Sequence, residues 1–248
     1  MIMMILKNID SYVAKVKSWL KSLFGNKPNT KLTIVEVGEN AKEKAFHNLL
    51  ENYGKQVGVN VDVYWFPEDI EQDELFREIE DLQEFCAGFV LQSDLPDHLD
   101  ANVLAAAIRP DKDICGLRKD SDFEPPMAMG IIDYLDYCDC WYEGKDMVII
   151  GRGQRVGKPL SAMLIDRHAT VTVCHSKSKL PAHIYHCDLI VCATGNERVL
   201  DCAGVNVPVI EVGRNGSCYN VKNKDIVTVT DSVMATAILE NLARSVEN

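Results

Sequence analysis

A two-domain α/β fold is what this sequence predicts, and three observations predict it. Short β-branched runs alternate with helix-length segments along most of the 248 residues, the pattern of parallel βαβ units in open sheets. A helix-forming stretch at 125–137 separates three strand candidates from four later ones. Within the later group, residues 147–176 run strand, glycine-punctuated turn, helix, strand. A hydrophobic content of 47% supplies enough apolar material for substantial cores, and the length accommodates one large or two modest domains.

Taken in order, the apolar start MIMMIL stops at Lys7, too short to span a bilayer and without the charge-first order of a signal peptide, so no membrane insertion is expected. Ile9, Val13, Val16, Leu20 and Leu23 recur at helical spacing with Lys15, Lys17 and Lys21 between them. This is an amphipathic helix expected to pack on the protein rather than on lipid, and Asn26, Lys27, Pro28 and Asn29 end it. There follow a strand at 32–37, a helix to about residue 56, a strand at 59–65, an acidic helix beginning near Glu68 and a strand at 87–92. The carboxylates between 68 and 84 read as a solvated helix face. After the 125–137 helix come strands at 147–150, 170–174, 189–192 and 207–212 and a terminal helix at 232–243, with no internal repeat.

Nine cysteines, an odd number with no C-x-x-C pair, argue against a disulfide framework and a zinc site, and reduced thiols in a cytoplasm are the simpler reading. A net charge of −11 disfavours nucleic acid and anionic membranes as partners, while leaving room for a local basic pocket. No metal site is expected.

The 147–150 strand runs into Gly151, Gly153 and Gly157, where a missing Cβ lets the backbone turn tightly and approach an anion at the start of a helix. The expected ligand is a nucleotide. Gly151-x-Gly153-x-x-x-Gly157 is one residue longer than the usual dinucleotide fingerprint. A nucleoside triphosphate loop fails, because Lys158 is followed by Pro159 rather than Ser or Thr; Pro159 instead suits a first helical turn. The 170–174 strand ends in His175, Ser176, Lys177, Ser178 and Lys179, without the carboxylate that holds the ribose of NAD. Together with Arg152 these cations and hydroxyls favour NADP.

GRGQRVGKP read together with ATVTVCHSKSK resembles the NADP domain of the methylenetetrahydrofolate dehydrogenase/cyclohydrolase (FolD-like) family, and LQSDLPDHLD, IRPDKDICG, CDLIVCATGN and VPVIEVGRNG are similar to family blocks in family order. The resemblance implies two α/β domains with a cleft between them. Residues 1–124 with 231–248 would form a folate-type catalytic domain, onto which the terminal helix packs back, and 125–230 a Rossmann-like NAD(P)-binding domain. It also implies a folate-type small-molecule substrate and a homodimer. Gly151, Arg152, Gly153, Val156, Gly157, Ser176, Thr194, Gly195 and Arg214 fall on its cofactor side. Gly153 stands in place of a serine, and Arg214 in place of an aliphatic residue, where it could meet an anion or solvent.

Departures concentrate on the folate side. The family's Tyr-x-x-x-Lys falls on Phe46 and Leu50, and leucine moves no proton. Lys44 and Lys55 lie about 120° and 140° around the helix from residue 50 and are poorly placed to substitute. His47 shares the face of Leu50; it is read here as a helix-surface histidine, the alternative being a surrogate base. Gln92 is kept, whereas Cys115 replaces the carboxylate expected to hold the pterin. Asp111 and Asp113 read as turn and capping residues. The segment before the long helix reads Pro125-Pro126-Met127-Ala128, and a glycine-rich substrate loop is missing at 229–233. Gln92 and His47 are thus the catalytic candidates. Cyclohydrolase activity is expected to be lost and dehydrogenase activity is left open. The alternatives are a catalytically silent nucleotide-binding module for regulation or assembly, and an NADP oxidoreductase with a non-folate substrate.

Overall fold

The structure, a computed structural model, describes residues 5–213, 216–221 and 226–247. The chain forms two compact units, one of residues 14–126 with 234–248, the other of residues 127–233 joined by the N-terminal residues through Val13. Both are built on parallel sheets.

Helix α1 (Ile9–Phe24) follows the predicted periodicity, and its part in the first unit buries Val16, Leu20 and Phe24. A three-stranded sheet follows, in the order β2 (Asn60–Phe66), β1 (Lys31–Val37), β3 (Gly88–Leu91). Strand β1 lies in the middle and is buried from its second residue onward. Alternation sends Val35 and Val37 into a cluster with Phe89 and Leu91 of β3, Leu75 and Ile79 of helix α3 (Gln72–Leu82) and Leu104 of helix α4 (Ala101–Ala107). Helix α2 (Ala41–Val57) covers the opposite face and starts at Asn40, whose Oδ1 accepts from the Lys42 and Glu43 amides. Helix α8 (Asp231–Glu247) contributes its later turns to this unit, where Asn241 Nδ2 donates to the carbonyls of Ile114 and Glu124.

The second unit holds helix α5 (Pro126–Tyr137) and a five-stranded parallel sheet. Its strands are β4 (Asp146–Ile150), β5 (Thr170–Cys174), β6 (Leu189–Cys192), β8 (Val209–Val212) and β10 (Ile226–Val229), in the spatial order β10-β8-β6-β4-β5. Helix α6 (Gly157–Asp166) crosses from β4 to β5, and the single turn α7 (Pro181–Ile184) precedes β6. A small parallel pair, β7 (Leu200–Asp201) with β9 (Cys218–Tyr219), completes it.

Two expectations need correcting. The acidic helix begins at Gln72 rather than near Glu68, because residues 67–70 form a turn closed by the Ile70 amide on Pro67 O that buries Ile70. β10 and α4 were not foreseen. Only Thr230 separates β10 from α8, in keeping with the missing glycine-rich loop.

Candidate active site

In the second unit the glycine turn sits at the carboxyl end of the sheet, where open α/β folds bind ligands. Ile150 pairs with Cys174, and the Gly151 N–H donates to Cys174 O at 2.9 Å, so Arg152 and Ser176 each lie two residues beyond paired strand ends. Gly151 has φ +121°, and a Cβ there would come within 2.1 Å of Ala193 O. A Cβ on Gly157 would meet Gly151 O at 2.2 Å. Gly151 thus lets the end of β4 meet the end of β6, and Gly157 lets α6 meet the turn, backbone to backbone. A Cβ on Gly153 or Gly195 would meet nothing within 4 Å, so the space around both is open.

Helix α6 begins at Val156, which offers no side-chain cap, and the Lys158 N–H closes onto Gly153 O. An uncapped N-terminus above a glycine turn fits a pyrophosphate. Arg152 and Ser176 are exposed at the same end. So are His175, Lys177 and Lys179, while Ser178 accepts the His175 amide on its hydroxyl at 3.0 Å. Thr194 Oγ1 is 3.3 Å from Ser217 Oγ, and Ser217 Oγ donates to Asn196 O at 2.9 Å, tying the turn after β6 to β9. Arg214 lies outside the described residues.

In the first unit the carboxyl end of the sheet gathers Gln92, Asn40, Glu43, His47 and Ser93. Gln92 Oε1 accepts from the Val37 amide at 3.0 Å, while its Nε2 donates to the carbonyls of Val37 and Asp94 at 3.0 and 2.8 Å. Its amide therefore pins the ends of β1 and β3 together. His47 overturns the surface reading: it is 2% exposed. Its Nδ1 is 2.6 Å from Glu36 Oε1 and its Nε2 3.8 Å from Glu43 Oε2. Ser93 Oγ donates to Glu43 Oε1 at 2.5 Å. Leu50 is wholly buried and Phe46 half-buried beside the His47 ring. Lys55 is paired with Glu51 at 2.6 Å and exposed, as is Lys44.

Cys115 is half-buried. Its neighbour Asp113 is fully buried and accepts the Leu117 and Arg118 amides at 3.1 and 2.8 Å. Burial pushes the Asp113 carboxyl up, against those amide hydrogen bonds. It is a turn residue of the loop. Asp111 forms an exposed pair with Arg109.

Two family descriptions match this arrangement: the tetrahydrofolate dehydrogenase/cyclohydrolase catalytic domain over residues 4–114 and its NAD(P)-binding domain over residues 125–240. The chain belongs to the tetrahydrofolate dehydrogenase/cyclohydrolase family. The bifunctional protein FolD of Salinibacter ruber is 36% identical over 200 residues, covering 74% of this chain and 67% of that protein. The FolD of Clostridium kluyveri is 32% identical over 244 residues, covering 85% and 86%. Among solved structures, the FolD methylenetetrahydrofolate dehydrogenase/cyclohydrolase of Campylobacter jejuni superposes with a TM-score of 0.84 at 27% identity, covering 96% of each chain. Membership of this family makes the glycine turn part of an NAD(P)-binding domain and the Gln92 end part of a catalytic domain.

Sequence reasoning missed Glu36, Glu43 and Ser93. One signal was available: Glu36 is the only charged residue inside the mostly apolar run 32–37.

Proposed function

We propose that this chain is an NADP-dependent 5,10-methylenetetrahydrofolate dehydrogenase in which the lysine-dependent cyclohydrolase step has been lost. The observation that carries the reading is an asymmetry within one family member. The nucleotide turn keeps its close-packed glycines and uncapped helix, whereas α2 presents a wholly buried leucine at residue 50.

Hydrolysis of a methenyl bridge needs a group that moves a proton or polarises the leaving nitrogen, and Leu50 does neither. Dehydrogenation asks less. The methylene carbon gives up a hydride, two electrons and a proton, to the bound nicotinamide, and the protein's task is alignment. The turn at 151–157 serves that task by gripping the pyrophosphate. Arg152, Ser176 and the lysines after β5 supply the charge that a 2′-phosphate seeks, which supports NADP over NAD. Gln92 holds the strand ends rigid on the folate side.

A second reading, a catalytically silent nucleotide-binding module, draws on the combined replacements at Phe46, Leu50 and Cys115. One assay pair separates them. Incubation with methylenetetrahydrofolate and NADP is expected to produce NADPH, while methenyltetrahydrofolate disappears no faster than in buffer. No NADPH at high protein concentration rejects the dehydrogenase, and accelerated methenyl hydrolysis rejects the loss of the second step.

A further inference from the structure

Beneath α2 lies a line of polar groups that the dehydrogenase reading does not use. Glu36 on β1 meets His47 on α2 at 2.6 Å, His47 faces Glu43 one turn earlier at 3.8 Å, and Glu43 receives the Ser93 hydroxyl at 2.5 Å and the Ser93 amide at 3.4 Å. Both ring nitrogens of a 2%-exposed histidine thus point at carboxylates. The side chains of Glu36 and Glu43 are only 11% and 13% exposed.

Stability does not explain this line. His47 belongs to the buried stripe of α2 with Leu50, Gly54 and Val57, and Glu36 faces it from a buried central strand. An apolar pair of similar volume at such a position is generally as stable as a buried ion pair or more so, because desolvating charged groups offsets their attraction. A buried ionisable line at the ligand end of a sheet is instead a feature of functional sites.

Geometry says what the line holds. Glu43 stands in the first turn of α2, and the loop after β3 is tied to that turn by Ser93 on Glu43 and by Asn40 Nδ2 on Asp94 Oδ2 at 3.0 Å. A carboxylate offers about four lone-pair sites. Ser93 takes one on each oxygen, and the 3.8 Å approach of His47 is too long for a hydrogen bond. Two acceptor sites remain, the number that the amine-bearing edge of a pyrimidine ring engages. Cys115, a neutral thiol where the family's signature carries an acid, leaves that edge without a carboxylate.

We propose that His47, backed by Glu36, is a positioning residue that fixes the Glu43 carboxylate, and that Glu43 recognises the donor edge of the substrate's pterin. This rests on the folate reading above. The test is calorimetry of the full-length protein with tetrahydrofolate and with NADP, alongside thermal melting and steady-state kinetics. The double variant Glu36→Leu/His47→Leu is expected to melt at or above the wild-type temperature and to bind NADP unchanged. It should bind tetrahydrofolate roughly tenfold or more weakly, with the change in KM for methylenetetrahydrofolate rather than in kcat. Glu43→Gln should show the same selective loss, and it decides the matter should the double variant fail to fold. Wild-type affinity for tetrahydrofolate in either folded variant overturns the proposal while leaving the folate reading intact. A wild-type protein that binds NADP but no tetrahydrofolate removes the folate reading and the proposal with it.

Discussion

At Gly151 a side chain is forbidden twice, by φ +121° and by the 2.1 Å approach of a Cβ to Ala193 O. Two residues on, Gly153 has neither restriction. Adding a side chain should therefore act on different quantities at the two sites. Gly151→Ala is expected to lower stability by about 3 kcal/mol or more, since backbone atoms and not a flexible side chain stand in the way. Gly153→Ser is expected to leave the melting temperature unchanged and to tighten NADP a few-fold, by adding a hydroxyl beside the phosphates. Urea denaturation and NADP titration of both variants check this; a stable Gly151→Ala protein would show that β4 and β6 do not crowd at their ends. Gly151 was legible in the sequence because a turn glycine is a local requirement. The burial of His47 was not, because it depends on Glu36, eleven positions away and across the α2–β1 interface.

Elements were legible where their own periodicity specified them. β5 and β6 fall on the predicted residues, α1 on the predicted apolar stripe, and α5 starts one residue inside its prediction. Apart from β10, whose Ile226–Val229 run is β-branched throughout, the elements that escaped lack such a signal. Helix α4 has seven residues and four alanines, and β7 and β9 are two-residue strands that exist only through each other. Where β4 meets β6, the sheet is held from outside the ladder as well. Asp188 accepts from Lys145 Nζ at 2.9 Å and from the Asp146 amide at 3.0 Å. Partial burial raises the Asp188 carboxyl, but the bonds from Lys145 and Asp146 outweigh it and hold the group below its ordinary value. A depressed carboxylate contributes stability above its unfolded pKa and loses it as pH falls through the folded one. Asp188→Asn should then cost about 1 kcal/mol at pH 7, and the difference from wild type should close as pH falls through and below the ordinary carboxylate range. Denaturation midpoints of the two proteins across that range provide the measurement; a gap that persists at low pH would assign the effect to packing rather than charge.

For the whole molecule, the two carboxyl ends tell different stories. The nucleotide end was readable because glycine spacing, an uncapped helix and the charge after β5 are features of contiguous residues. The folate end was readable in Gln92 and in the replacements at Leu50 and Cys115, but not in the Glu36–His47–Glu43–Ser93 line, which is assembled from β1, α2 and the loop after β3. Ligand linkage converts that contrast into one measurement. A ligand that binds only the native state stabilises it by RT ln(1 + [L]/Kd), about 2.7 kcal/mol at a hundred times Kd. For a chain of this size that corresponds to a rise of roughly 5–10 °C in melting temperature. NADP is expected to produce such a rise, and NAD at the same concentration a smaller one, because it lacks the phosphate that Arg152, Ser176 and the lysines after β5 would meet. Equal shifts from the two nucleotides would remove the specificity argument and leave the glycine turn as a pyrophosphate cradle alone. Tetrahydrofolate, titrated in the same scan, should add its own rise in a dehydrogenase and none in a silent nucleotide module.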